Sequence, residues 1–151
     1  MKHAFTMIEL IYVIVILGIL SAVAIPKFAS TRNMADIGVA RSDVAVIRSA
    51  IMSERQSRLI TGDNTYIPKL SVAGSTLFTG DGTKTLLTYG IVAGSSTADT
   101  GKWTASGNTG KLYDFRADTV SVRFTYNSTT GLFTCDRTDT TYGTLCKQII
   151  D

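Results

Sequence analysis

From Phe5 to Ile25 the chain runs 21 residues with one charged side chain, Glu9. No other feature narrows the possible folds as much. As an α-helix rising ~1.5 Å per residue, the run reaches about 31 Å, one hydrocarbon thickness. The tract Ile11–Ile19 (IYVIVILGI) has the Ile and Val content of a buried strand, and the length of the run decides for a helix. Glu9 is the difficulty. A carboxylate at mid-bilayer costs roughly 2.5–3.5 kcal/mol on insertion scales, and less near the interface, so one placed there is a functional-site hypothesis by default.

Three readings of the run compete. A plain membrane anchor leaves Glu9 unexplained. An ordinary secretory signal peptide would use Lys2 as its basic start and Ala22-Val23-Ala24 as its cleavage pattern, but the apolar region of such a peptide is uncharged. The third reading is a short leader removed before Phe5. Here AFTMIELIYVIVILGILSAVAIPKF resembles the N-terminus of the type IV pilin and type II secretion pseudopilin superfamily. Phe5, Thr6, Glu9, Leu10, Gly18 and Pro26 fall where that family has them, and Val13–Leu20 (VIVILGIL) is most similar to the major pseudopilins. The residue before the expected cut is Ala4, where the family usually has glycine.

The resemblance implies an α+β, pilin-like chain: a leader at 1–4, a long helix at 5–61 and a head at 62–151. Residues 5–25 would serve first as membrane anchor and then as filament core. A prepilin peptidase would cut between Ala4 and Phe5, and the new Phe5 amine would be N-methylated and stay cationic. Glu9 of an incoming subunit would then pair with the Phe5 amine of a neighbour. In a low-dielectric setting such a pair is strong and either charge alone is costly. Within its own chain, Glu9 lies in the first helical turn, where the helix dipole favours a negative charge. The alternative is a tolerated interfacial glutamate that snorkels. The implied partners are copies of itself, sibling pilins or pseudopilins, the prepilin peptidase, and an inner-membrane assembly platform with its ATPase. The implied place is the bacterial inner membrane, single-pass, with an extracytoplasmic head. Lys2 set against Lys27 and Arg32 does not itself favour that orientation.

Pro26 removes a backbone donor at the end of the apolar run and is expected, with Gly18 as a second weak point, to kink or loosen the helix. Beyond it the pattern stays helical to about Ile60. Ile37, Ala40, Val44, Ile47 and Ile51 recur at spacings of three and four and form one apolar stripe. Phe28, Ala35, Val39 and Val46 form a thinner one, which faces neighbouring helices of an assembly or is scattered surface apolar residues. Arg41, Arg48 and Arg55 line up between the two. They pair with acidic residues of a neighbouring subunit or form a solvated face. Gly62, beside Thr61 and Asp63, is placed to end the helix.

Residues 62–110 are rich in Gly, Ser and Thr and read as loops carrying Leu77, Phe78, Leu86, Leu87, Tyr89, Ile91, Val92 and Trp103; Lys84–Val92 can add a short helix or strand. From Lys111 the pattern turns to β. KLYDF is a short strand. Val120–Tyr126 alternates, with Val120, Val122, Phe124 and Tyr126 on one face. Asn127–Gly131 (NSTTG) is a hairpin loop and Leu132–Cys135 the returning strand. The apolar face of an antiparallel sheet would cover the denser helix stripe, as in the pilin head. Cys135 and Cys146 enclose ten residues. On an extracytoplasmic head they can form a disulfide, as in many type IV pilins; two free thiols is the other reading. Many major pseudopilins have a calcium site there instead, but Asp136 and Asp139 fall short of the six to eight oxygens calcium takes.

No enzyme is legible. The one histidine, His3, belongs to the basic leader. There is no P-loop, G-x-G-x-x-G or C-x-x-C, and nothing makes Asp114 and Asp118 a catalytic pair. No cofactor is implied. A net charge of +3 argues against nucleic acid as the main partner. The sequence reads as a structural subunit of a type II secretion pseudopilus or type IV pilus-like filament. A minor or DNA-uptake pilin and a soluble secreted binding protein are the alternatives.

Overall fold

The computed structural model describes residues 6–151. Met1 to Phe5, and with them the leader, the Ala4–Phe5 junction and His3, lie outside the described residues. The chain divides into two units, one reaching to Ala35 and one covering Asp36–Asp151. Helix α1, Met7–Ile60, runs unbroken through Gly18 and Pro26. It ends on Gly62, whose positive φ of 84° lets its N–H reach the Leu59 carbonyl at 3.1 Å while Asp63 N–H reaches the Arg58 carbonyl at 2.9 Å. That pair of bonds satisfies carbonyls that every helix end leaves unpaired.

The second unit is an α+β head. Strands β1 (Thr76–Leu77) and β2 (Ile91–Val92) form a small antiparallel ribbon. Strands β3 (Lys102–Ala105), β4 (Leu112–Ala117), β5 (Val120–Asn127) and β6 (Leu132–Cys135) form an antiparallel meander in sequence order. Helix α2 (Gly143–Ile150) closes the chain. The expected alternation on β5 holds: Val122, Phe124 and Tyr126 are buried while Arg123 and Thr125 are exposed. The expected stripe on α1 holds as well. Ala40, Val44, Ile47 and Ile51 are buried in one core with Trp103, Tyr113, Phe115, Phe124 and Phe133 of the sheet.

Residues 62–110 carry more structure than their composition suggests. Phe78 is fully buried with φ of 61°, a region L-residues rarely occupy. Its neighbours hold it there. Its N–H donates to Ser71 Oγ at 2.6 Å, its carbonyl accepts from Leu87 N–H at 3.1 Å, and its ring lies 4.3 Å from that of Tyr113. Of Lys84–Val92, only Ile91 and Val92 are strand. The NSTTG hairpin is as expected. Asn127 Oδ1 accepts from Thr129 and Thr130 N–H, and Gly131, at φ of 73°, sits where a Cβ would meet the Tyr66 ring.

Cys135 and Cys146 form a disulfide, tying β6 to α2. Closing an 11-residue separation stabilises by about 2–3 kcal/mol on the chain-entropy model. The double substitution Cys135→Ser, Cys146→Ser is expected to lose that amount in a urea titration. Wild-type protein unfolded under reducing conditions should then match the variant; equal midpoints for oxidised wild type and variant would refute the contribution.

Candidate functional site

The first unit offers an apolar helix surface with a polar start. The side chains of Met7, Ile8, Leu10, Ile11, Ile14, Leu17, Ile19, Leu20 and Ile25 are all exposed. The helix carries a window of mean hydropathy 2.7, long and apolar enough to cross a membrane. At its first turn, Thr6 and Glu9 form a reciprocal cap. Glu9 N–H donates to Thr6 Oγ1 at 3.3 Å, and Glu9 Oε2 accepts from Thr6 N–H and from its hydroxyl, each at 3.4 Å. This is the capping box of a Thr-x-x-Glu sequence. The spacing TMIE announces it, and reading Glu9 alone passes over it.

In the second unit each arginine of the stripe is engaged with an acceptor of its own chain. Arg41 Nε donates to the Gln148 carbonyl at 2.7 Å, Arg48 Nε to the Phe133 carbonyl at 3.0 Å, and Arg55 Nη1 to the Thr65 carbonyl at 3.0 Å. The Arg55 guanidinium also lies 4.6 Å from the Tyr66 ring centroid. Each acceptor needs such a donor. Gln148 is in the last turn of α2, where carbonyls have no helical partner and the dipole favours a cation. Phe133 is on β6, an edge strand with unpaired backbone groups. The three arginines therefore tie the head to its own helix through one N–H each. One turn beyond, Arg58 gathers Glu54 (2.9 Å), Asp63 (3.1 Å) and Asp81 (3.5 Å), fastening the helix end to two loops.

Asp43 stands apart. Its Oδ2 accepts the Trp103 indole N–H at 2.8 Å, and no cation pairs with it among the described residues. Burial pushes its pKa up, and the indole hydrogen bond only partly offsets this. A carboxyl with a raised folded pKa is destabilising when ionised, and folding gains stability as pH falls through that pKa toward the unfolded value. Asp43→Asn keeps an acceptor for Trp103. It is expected to be more stable than wild type at pH 7, with the two unfolding curves converging below about pH 3.8. A constant difference across that range would refute the assignment.

The other singled-out carboxylates are structural. Asp114 pairs with Arg123 across β4 and β5 at 2.8 and 2.9 Å. Asp136 Oδ1 accepts from Thr138 N–H and hydroxyl, and Asp139 Oδ1 from Thr141 and Tyr142 N–H. Among the described residues no three His, Cys, Asp or Glu side chains gather as metal ligands. Phe28 in the first unit is 74% exposed, and Val39 and Val46 in the second are 51% and 49% exposed.

Among curated proteins the chain is similar to the type II secretion system core protein G of Pseudomonas aeruginosa. The two are 43% identical over 50 residues, 33% of this chain and 35% of that protein. The chain thus matches about a third of the relative's length. No family model and no solved structure matches.

Proposed function

We propose that this chain is a structural subunit of a type II secretion pseudopilus or a related pilus-like filament. A prepilin peptidase cuts it before Phe5, the inner membrane holds it through Phe5–Ile25, and it assembles through that helix. The observation that carries the reading is the pairing of an apolar, exposed helix surface with a glutamate fixed on its first turn. The similarity to a core protein of type II secretion supports it.

The chemistry follows from the cap. Thr6 gives the Glu9 carboxylate hydrogen bonds inside its own chain but no opposite charge. The cationic Phe5 amine of a neighbouring copy supplies that charge, and it does so at one axial position only. Moved from lipid into a bundle of like helices, Met7–Ile25 keeps its apolar surface covered and gains packing. The subunit does mechanical work: growth at the membrane pushes the fibre outward. Copies of the chain, sibling pseudopilins, the peptidase and an ATP-driven platform are its partners, with the head outside the cytoplasm.

Intact mass of the protein purified from its host tests this. A mass equal to Phe5–Asp151 plus one methyl group is the expected result. A chain beginning at Ile25 would make this a secreted soluble protein, and an uncut chain from Met1 would refute the processing.

A further inference from the structure

Asp36 and Asp43 lie on one flank of α1, and Asp43 forms no salt bridge among the described residues. Asp43 is half-buried and lies between Val39 and Val46, which α1 leaves exposed one turn to either side. A desolvated carboxylate framed by two exposed aliphatic side chains is an arrangement that favours a cation carrying an apolar neighbour. Trp103 fixes the carboxylate from behind through the 2.8 Å indole hydrogen bond. One oxygen, Oδ1, is left for a second donor.

The chain itself carries the matching group. Arg41, Arg48, Arg55, Arg58, Arg116, Arg123 and Arg137 are each engaged with acceptors of their own chain. Lysines remain, and their neighbours distinguish them: Lys84 stands between Thr83 and Thr85, and Lys147 between the buried Cys146 and Gln148. Lys102 and Lys69 sit beside the buried Trp103 and Leu70, and Lys111 Nζ is bonded to Ser128 at 2.9 Å. Lys27 is followed by Phe28, a 74% exposed aromatic.

We propose that the strip Asp36, Val39, Asp43, Val46 is a contact surface for a second copy of this chain, receiving that copy's Lys27 against Asp43 and its Phe28 against the two valines. The inference rests on the self-assembly proposed above and specifies one interface of it. The two halves of the contact lie at different places on one chain, so each copy that receives also offers. Such a heterologous contact extends into an open fibre unless its rotation happens to close a ring.

The test uses the full chain in its own membrane. Asp43→Asn and Lys27→Gln are each expected to cut the assembled fraction at least tenfold, while Asp43→Asn leaves the thermal midpoint of the head equal or higher. The reciprocal exchange Asp43→Lys with Lys27→Asp should recover assembly above either single reversal. Phe28→Cys and Val46→Cys, both at exposed positions, should cross-link between copies, since the two native cysteines are bonded to each other. Wild-type fibres combined with unaffected single variants and no cross-link would overturn this surface and leave the proposed function standing. If wild type yields no fibre and the Phe28→Cys, Val46→Cys chain no cross-linked copies, both fall.

Discussion

Replacing Trp103 by alanine is expected to cost about 4–6 kcal/mol and leave the head barely folded. Large aromatic-to-alanine changes in a core cost roughly 3–5 kcal/mol, and a half-buried acceptor left without its donor adds about 1 kcal/mol more. Domains of this size have on the order of 5–15 kcal/mol in all. Trp103 is fully buried, with rings of Phe115 at 5.1 Å, Phe124 at 5.2 Å, Phe78 at 5.7 Å and Phe133 at 6.1 Å. It joins the edge strand β3 to α1 through Asp43. Trp103→Phe keeps most of the packing and loses the indole donor, so its smaller cost isolates that bond. Urea titration followed by circular dichroism in detergent reads both variants. A loss below about 2 kcal/mol for Trp103→Ala would mean that the aromatic cluster repacks around the gap.

The second large effect is on assembly. Glu9→Ala should insert into the membrane at least as well as wild type, because it removes a charge that lipid disfavours, yet its incorporation into fibres should fall more than tenfold. Glu9→Gln separates the two duties of the side chain. A glutamine at the third helical position still completes a capping box, so the helix start survives while the charge is gone. Glu9→Gln should therefore assemble as poorly as Glu9→Ala. Thr6→Ala, which removes the box and keeps the charge, should do better than either. If Glu9→Gln assembles normally, Glu9 acts as a cap and not as a charge partner. Sheared fibres counted against the membrane pool provide the measurement.

Local periodicity made much of this legible. The Ile37–Ile51 stripe, the alternation on β5, the NSTTG hairpin and the Gly62 stop each depend on a few neighbouring residues and came through intact. What stayed hidden depends on distance in the chain. Arg48 meets a carbonyl 85 residues away and Arg41 one 107 away; backbone acceptors have no residue type to betray them. Helix α2 was not expected. It is short, its first turn has no acidic residue, and Tyr142 gives it no side-chain cap. The disulfide and the buried Leu145 and Ile149 hold it instead. Strands β1 and β2 have two residues each, too few to show a period. The Thr6–Glu9 box is different, because its motif was in plain view.

Each of the three arginines under the head holds a main-chain oxygen. Such a grip is indifferent to spelling: whatever side chains occupy positions 65, 133 and 148, an oxygen stands there to be held. The mount can thus stay constant while the outer loops drift in sequence. New outer loops can be tried on an old shaft without changing how the head is mounted.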